Sequence, residues 1–89
     1  MRGLQQIDRS IDLHGMYVRQ AMNALERHIR LAHSARSPDV RVVHGHGSGA
    51  LKAAVRDLLQ DHPYVGKWRP GVYGDGGDGV TIAILDYGG

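Results

Sequence analysis

No segment limits the fold of this chain as tightly as VRVVHGHGSGALK, residues 40–52. Valines occupy both parities of VRVVH, the pattern of an inner strand covered on both faces. GHGSG then breaks the strand, and a helical repeat starts at about Ala50. A buried strand that passes through a glycine turn into an amphipathic helix belongs to a sheet with helices packed on it.

The flanking segments supply the rest of that sheet. From Ile7, the stretch IDRSIDLHG alternates apolar and polar, with Ile11 and Leu13 on one side and Asp12 and His14 on the other, which predicts a strand with one covered face. Val18, Ala21, Met22, Leu25, Ile29 and Ala32 recur at three and four, predicting a helix over about 16–33, with Leu31 off the stripe. A second helix is expected from Ala50 to Asp61, with Leu51, Ala54, Val55 and Leu58 on one face. His62-Pro63 ends it, because a residue before proline is driven out of the helical region. Tyr64 to Val72 reads as an edge strand interrupted by Pro70. After the glycine-rich turn YGDGGDG, residues 80–86 form a last strand, apolar on both parities. The order is β-α-β-α-β-β. Right-handed crossovers favour parallel pairing of the first strands, and the short turn favours a closing antiparallel hairpin. The expected architecture is α/β (α+β): a four-stranded mixed sheet with both helices on one face.

Length and composition narrow the chemistry. At 89 residues there is room for one core, which excludes a complete dinucleotide fold, a TIM barrel or a full P-loop ATPase. Residues 1–6 carry no pattern and read as a tail or a cut edge, 7–86 as a single domain and 87–89 as a C-terminal tail. Phe is absent, so the core must be aliphatic, and the absence of Cys removes disulfides, thiolate metal ligands and thiol nucleophiles. The net charge of +2 is too thin an excess to be a nucleic-acid signature alone. No apolar run approaches a membrane span and no signal-peptide core follows Met1, so a cytoplasmic protein with no membrane partner is the default expectation. Six histidines and thirteen glycines are the real departures from average composition.

Those residues cluster. The loop Gly45-His46-Gly47-Ser48-Gly49 allows positive φ and aims successive N–H groups outward, and the helix behind it adds the positive end of its dipole. With Lys52 in the first turn, this is a cradle for phosphate or another anion. It is neither a Walker A loop, since no GK[ST] follows, nor a dinucleotide fingerprint, since the spacing is G-x-G-x-G. A plain packing turn remains the alternative, although it has no use for His44 and His46. Asp12 and His14 share a face two residues apart, at the strand end that parallel pairing places beside His44. A carboxylate beside an imidazole orients it, and two histidines near a phosphate cradle suit acid–base cleavage of a phosphodiester. Solvated polar positions are the plain alternative for Asp12 and His14. Asp12, His14, His44 and His46 also form an N/O donor set for zinc or another divalent ion, though a flexible glycine loop is a poor platform for two ligands. GDGGDG lacks the acidic residue a calcium loop needs at its twelfth position and reads as a hairpin turn. His28 and His33 are expected at the surface.

IDLHG at 11–15, HGHGSGALK at 44–52 and GDGGDGVTIAIL at 74–85, in this order, resemble the Smr (small MutS-related) domain, with its L-D-x-H-G and H-G-x-G motifs. The resemblance runs from about Ile7 to Leu85. It is nearest to the version at the C-terminus of the bacterial MutS paralogue that lacks mismatch recognition. It implies a fold similar to the C-terminal domain of translation initiation factor three. It also implies a fragment of a larger MutS-type ATPase chain, and nicking or degradation of DNA or RNA, tied to recombination suppression or to splitting collided ribosomes. By position, the first motif implies Asp12 and His14, and the second His44, Gly45 and Gly47. Many MutS-linked members carry arginine where this chain keeps His14, which favours retained nuclease chemistry. His46 falls where Lys or Arg is common, so a basic contact there depends on pH. The expectation is an endonuclease domain, with a non-catalytic nucleic-acid or ribosome-binding module as its rival. Asp12, His14 and His44 would supply acid–base chemistry, and residues 45–49 with Lys52 would hold the phosphate. Arg56, Lys67 and Arg69 would touch the nucleic-acid backbone. A divalent ion, Mg or Mn, is an open expectation; no metal ligands are assigned.

Overall fold

A computed structural model describes residues 9–88. The expected tail at 1–6, the first residues assigned to the domain and Gly89 lie outside the described residues. The elements are β1 (Ser10–Asp12), α1 (Val18–Ser34), β2 (Asp39–Val43), α2 (Ala50–Asp61), β3 (Val65–Pro70), a 3-10 turn at Gly77–Gly79 and β4 (Val80–Leu85). They form one four-stranded sheet in the order β1-β2-β4-β3. β1 pairs parallel to β2, while β4 runs antiparallel to both β2 and β3. This is the mixed sheet the pattern predicts, with β4 inserted between the two strands that α2 connects.

Register sorts the side chains. Val40 lies opposite Ala83 and Val42 opposite Thr81. With Leu13, Val65 and Leu85 this face meets Ala21, Leu25, Ile29 and Ala32 of α1 and Val55 and Leu59 of α2 in one aliphatic core. Each fully buried Leu or Ile contributes about 1.5–3 kcal/mol relative to exposure. The other face carries the row Ser10, Arg41, Ile82 and Arg69, with Lys67 beside Ile84 on the edge strand β3.

Two helix details depart from the periodicity. α1 starts at Val18 rather than 16, because Tyr17 is the extended N-cap. In α2 the deeply buried residues are Val55 and Leu59, and the expected Leu51, Ala54 and Leu58 are only partly covered. Leu59, left out of the expected stripe, lies one turn beyond Val55 and points straight at the sheet. Leu31, off the stripe, is exposed as its position demands. The expected tail at 87–89 starts with an anchored residue: the Tyr87 ring stacks on His33, and its hydroxyl donates to the Ser37 carbonyl. Among the described residues no helix is long and apolar enough to cross a membrane.

Candidate functional site

β1 ends at Asp12, and the chain turns immediately after it. Leu13 is still paired, its N–H donating to the Val43 carbonyl, and its side chain is fully buried. This anchor throws Asp12 and His14 outward. The Asp12 carboxylate accepts the His14 backbone N–H at 3.1 Å and its Nδ1–H at 2.6 Å, through the same Oδ1. The side-chain hydrogen bond from His14 comes first, and the backbone N–H second, in holding the Asp12 carboxyl below the usual carboxylate range. The side chains are 56% and 69% exposed, so the pair faces solvent, and His14 Nε2 has no partner among the described residues.

The glycine loop lies beside this pair. A Cβ on Gly45 would stand 3.3 Å from the His14 Cβ, so the two motifs touch. Gly45 and Gly49 have φ of +81° and +92°, and Gly49 is the N-cap of α2. Gly47 differs from both: its φ is not positive, and a Cβ there would meet nothing within 4 Å. His44, the loop residues Gly45 and 47–49, Gly15, Met16, Val18 and the first turn of α2 line an open cleft of about 230 Å³. The N–H groups of His46, Gly47, Ser48 and Gly49 have no acceptor among the described residues. Gly45 does not join them: its N–H, like that of His44, donates to the Gly79 carbonyl at 3.0 Å. Of the loop 45–49 expected to cradle a phosphate, the first glycine thus has its N–H engaged in tying the loop to β4.

His44 reaches the expected rim and lines the cleft, but its ring is turned into the fold. It is 4% exposed, on the helix-facing side of the sheet with Val40 and Val42. Its Nδ1 lies 3.1 Å from the Gly45 carbonyl, which can only accept, so Nδ1 carries the proton. Nε2 then accepts the Thr81 hydroxyl proton at 2.8 Å, while the Thr81 oxygen accepts Arg56 Nε–H at 3.0 Å. Burial first, then the nearby Arg56 and Lys52 charges, push the His44 pKa below its ordinary 6.5, against the opposing pull of the Gly45 carbonyl. A neutral imidazole with both nitrogens engaged inside the protein has no free lone pair for substrate. His44 reaches the cleft as the residue that shapes Gly45.

The basic residues divide between two surfaces. Lys52 Nζ lies 2.5 Å from Asp78 Oδ2, and Arg56 Nη2 lies 3.6 Å from Asp78 Oδ1, beneath the 3-10 turn. The Arg56 guanidinium also lies over the Trp68 ring at 4.8 Å. It is thus held inside the fold rather than offered freely to a nucleic-acid backbone. Lys67 and Arg69 project from the opposite face of the sheet and are not brought to the cleft. His46 is exposed and rests against Gly79, where an added Cβ would stand 2.8 Å from its Nε2. Among the described residues no group of three His, Asp or Glu side chains is placed to share a metal ion. His28 and His33 are half-buried rather than surface residues. His33 is sandwiched between Tyr64 and Tyr87, with ring centroids at 3.9 and 4.4 Å, and its Nε2–H donates to the Asp86 carbonyl. Thr81 and Asp78 are the participants that sequence reasoning missed. The first is visible only through the β2–β4 register, the second only once the turn is folded against α2.

A mixed four-stranded sheet with two helices on one face, an exposed Asp–His pair and an adjoining N–H-rich loop define a class of small α+β domain with an open cleft at one sheet edge. The chain belongs to the Smr domain family, whose sequence model matches residues 11–86. It is 44% identical over 82 residues to "Endonuclease MutS2" of Clostridium perfringens, and 38% identical over the same length to that of Clostridium beijerinckii. Each match covers 92% of this chain and spans only 10% of the relative's length. The Smr domain of Thermus thermophilus MutS2 superposes with a TM-score of 0.86 at 31% identity, covering 88% of this chain and 98% of that one. YdaL, a stand-alone small MutS-related protein from Escherichia coli, gives a TM-score of 0.84 at 19% identity over 89% of this chain and 65% of that one, a likeness of fold alone.

Proposed function

We propose that this domain is an endonuclease module that nicks nucleic acid. The observation that carries the reading is the solvent-facing Asp12–His14 pair at 2.6 Å, directly beside the unsatisfied N–H groups of 46–49. Asp12 accepts Nδ1–H and thereby leaves Nε2 as the basic nitrogen. A phosphodiester seated on the loop places its phosphorus beside that nitrogen. Nε2 takes a proton from the attacking hydroxyl, a water or the ribose 2′-OH of RNA. The new P–O bond forms as the old one breaks, and the departing oxygen collects a proton from the imidazolium or from water. The loop N–H groups stabilise the charge that accumulates on the non-bridging oxygens. His44, buried and internally bonded, serves as a positioning residue for Gly45.

Relatives bearing the name endonuclease, on chains ten times longer, support this reading and also a place for this domain within a larger MutS-type chain. Such a chain would act in the cytoplasm, on DNA during recombination or on RNA at stalled ribosomes. One observation favours a second reading, a nucleic-acid or ribosome-binding module: His44 is engaged internally, and of the exposed imidazoles in the two motifs, His14 and His46, only His14 is held by a carboxylate.

Labelled DNA and RNA oligonucleotides, incubated with the chain with and without chelator, separate the two readings. The endonuclease reading expects cleavage, lost by about 100- to 10,000-fold in His14→Ala, with binding kept within a few-fold. Wild-type protein that binds but cleaves neither polymer, with Mg or Mn supplied or removed, makes the domain a binding module.

A further inference from the structure

The cations beside the cleft are not free. Asp78 comes from the turn before β4, a segment that the site chemistry above does not use. Its carboxylate bridges two side chains one helical turn apart on α2, Lys52 at 2.5 Å and Arg56 at 3.6 Å. Lys52 lines the cleft, and Arg56 Nη2 is buried with no hydrogen-bond partner among the described residues. The next residue, Gly79, gives its carbonyl to the N–H groups of His44 and Gly45, so the turn bearing Asp78 is fastened to the base of the loop. Side-chain exposures run 61% for Asp78, 30% for Lys52 and 19% for Arg56, so the carboxylate is the lid and the cations lie under it.

We propose that Asp78 is a built-in competitor for the phosphate of the substrate, occupying Lys52 and Arg56 until a nucleic-acid phosphate displaces it. This rests on the reading of the cleft as a phosphodiester site. A carboxylate and a phosphate both offer anionic oxygens to these donors and therefore compete for them. The displaced Asp78 then uncovers Arg56 Nη2, a donor with a partner to gain. Asp78 lowers affinity for any polyanion and thereby favours substrates that can also engage the loop N–H groups. Free polyphosphate or a stretch of duplex far from the loop cannot recover what the displacement costs.

The test compares Asp78→Asn with Asp61→Asn, which makes the same change in net charge at the exposed end of α2. Anisotropy with a labelled single-stranded oligonucleotide should show Asp78→Asn binding about three- to fivefold tighter than Asp61→Asn, the range an exposed ion pair holds back. Its log-affinity against log-salt slope should steepen by about 0.7. Lys52→Ala should weaken binding more in the Asp78→Asn background than in the wild type. Equal effects of the two Asn variants, or additive effects of Lys52→Ala, overturn the proposal. Inorganic pyrophosphate, titrated while the amide resonances of 46–52 are followed, keeps the two readings apart. If oligonucleotides fail to bind but Asp78→Asn still tightens pyrophosphate binding, the nucleic-acid reading fails and the competitor stands. If pyrophosphate is indifferent to Asp78→Asn, the competitor is refuted whatever the oligonucleotides do.

Discussion

Thr81→Val isolates the chain of hydrogen bonds that runs from Arg56 through Thr81 to His44. Thr81 is 0% exposed, and valine copies its shape, so the substitution removes one hydroxyl and little else. Two groups lose their partner: His44 Nε2, which accepts at 2.8 Å, and Arg56 Nε, which donates at 3.0 Å. A buried polar group left unpaired costs about 1–3 kcal/mol. Arg56, 19% exposed, recovers only part of its loss from water, and the extra methyl of valine returns at most about 0.8 kcal/mol. A net loss of about 1–3 kcal/mol follows, and each kcal/mol moves Tm by roughly 4–8 °C in a domain of this size. Thermal unfolding should therefore drop by on the order of 10 °C. Thr81→Ser, which keeps the hydroxyl, should retain the Nδ1–H tautomer of His44 in imidazole nitrogen spectra, and Thr81→Val should mix the tautomers. If Thr81→Val unfolds within about 0.5 kcal/mol of wild type, the range of an inconsequential surface change, the hydroxyl bridge does not exist and His44 is free for other work.

His44 also sets a pH dependence. Its folded pKa lies below 6.5, so the unfolded chain takes up the proton first, and stability present above about pH 6.5 is lost as pH falls toward the lowered folded value. Urea midpoints between pH 5 and 8 should show this decline, and His44→Gln should flatten it. Gly45→Ala, at φ +81° and 3.3 Å from the His14 Cβ, should lower stability by about 1–2 kcal/mol, read by the same urea melts. Gly47→Ala should leave stability unchanged or slightly higher, yet weaken oligonucleotide binding, since the added methyl fills only the cleft. Lys67→Ala with Arg69→Ala, on the far face of the sheet, should leave oligonucleotide affinity within about twofold; a larger loss would extend the interface onto that face.

The helices and strands were legible because each obeys a short-range rule. α2 runs from Ala50 to Asp61 as read, since Gly49 starts it and the residue before Pro63 cannot continue it. Strand order was less accessible. VTIAIL is apolar on both parities, which marks a central strand, but its insertion between β2 and β3 depends on pairings across forty residues. The Asp12–His14 pair was readable from a spacing of two. The burial of His44 was readable by the same rule, since Val40, Val42 and His44 share one parity and the valines must face the helices. The expectation that His44 handles protons rested on its proximity to His14, and the alternation adds that its ring faces the helices. Its partner Thr81 was out of reach without the β2–β4 register, and the docking of Lys52 and Arg56 on Asp78 without the folded turn.

Parity also explains why the two motif histidines differ in kind. β1 and β2 are parallel neighbours, so their ends reach the same rim of the sheet. Asp12 falls on the open face and His44 on the helix face, and only the turn that follows each strand brings His14 and Gly45 into contact. One imidazole is therefore solvated and held by a carboxylate, while the other is dry and held by a threonine and a carbonyl. Exchanging their roles is not a matter of small shifts. It would require His44 to leave the core and abandon Thr81, and Arg56 to lose its acceptor with it. On the endonuclease reading, proton transfer accordingly runs through His14 and water rather than through His44. A pH–rate profile should show one histidine-dependent limb, removed by His14→Ala, with His44→Gln lowering the rate at every pH without changing its shape. A second limb that vanishes in His44→Gln would mean that the buried imidazole opens to solvent during turnover.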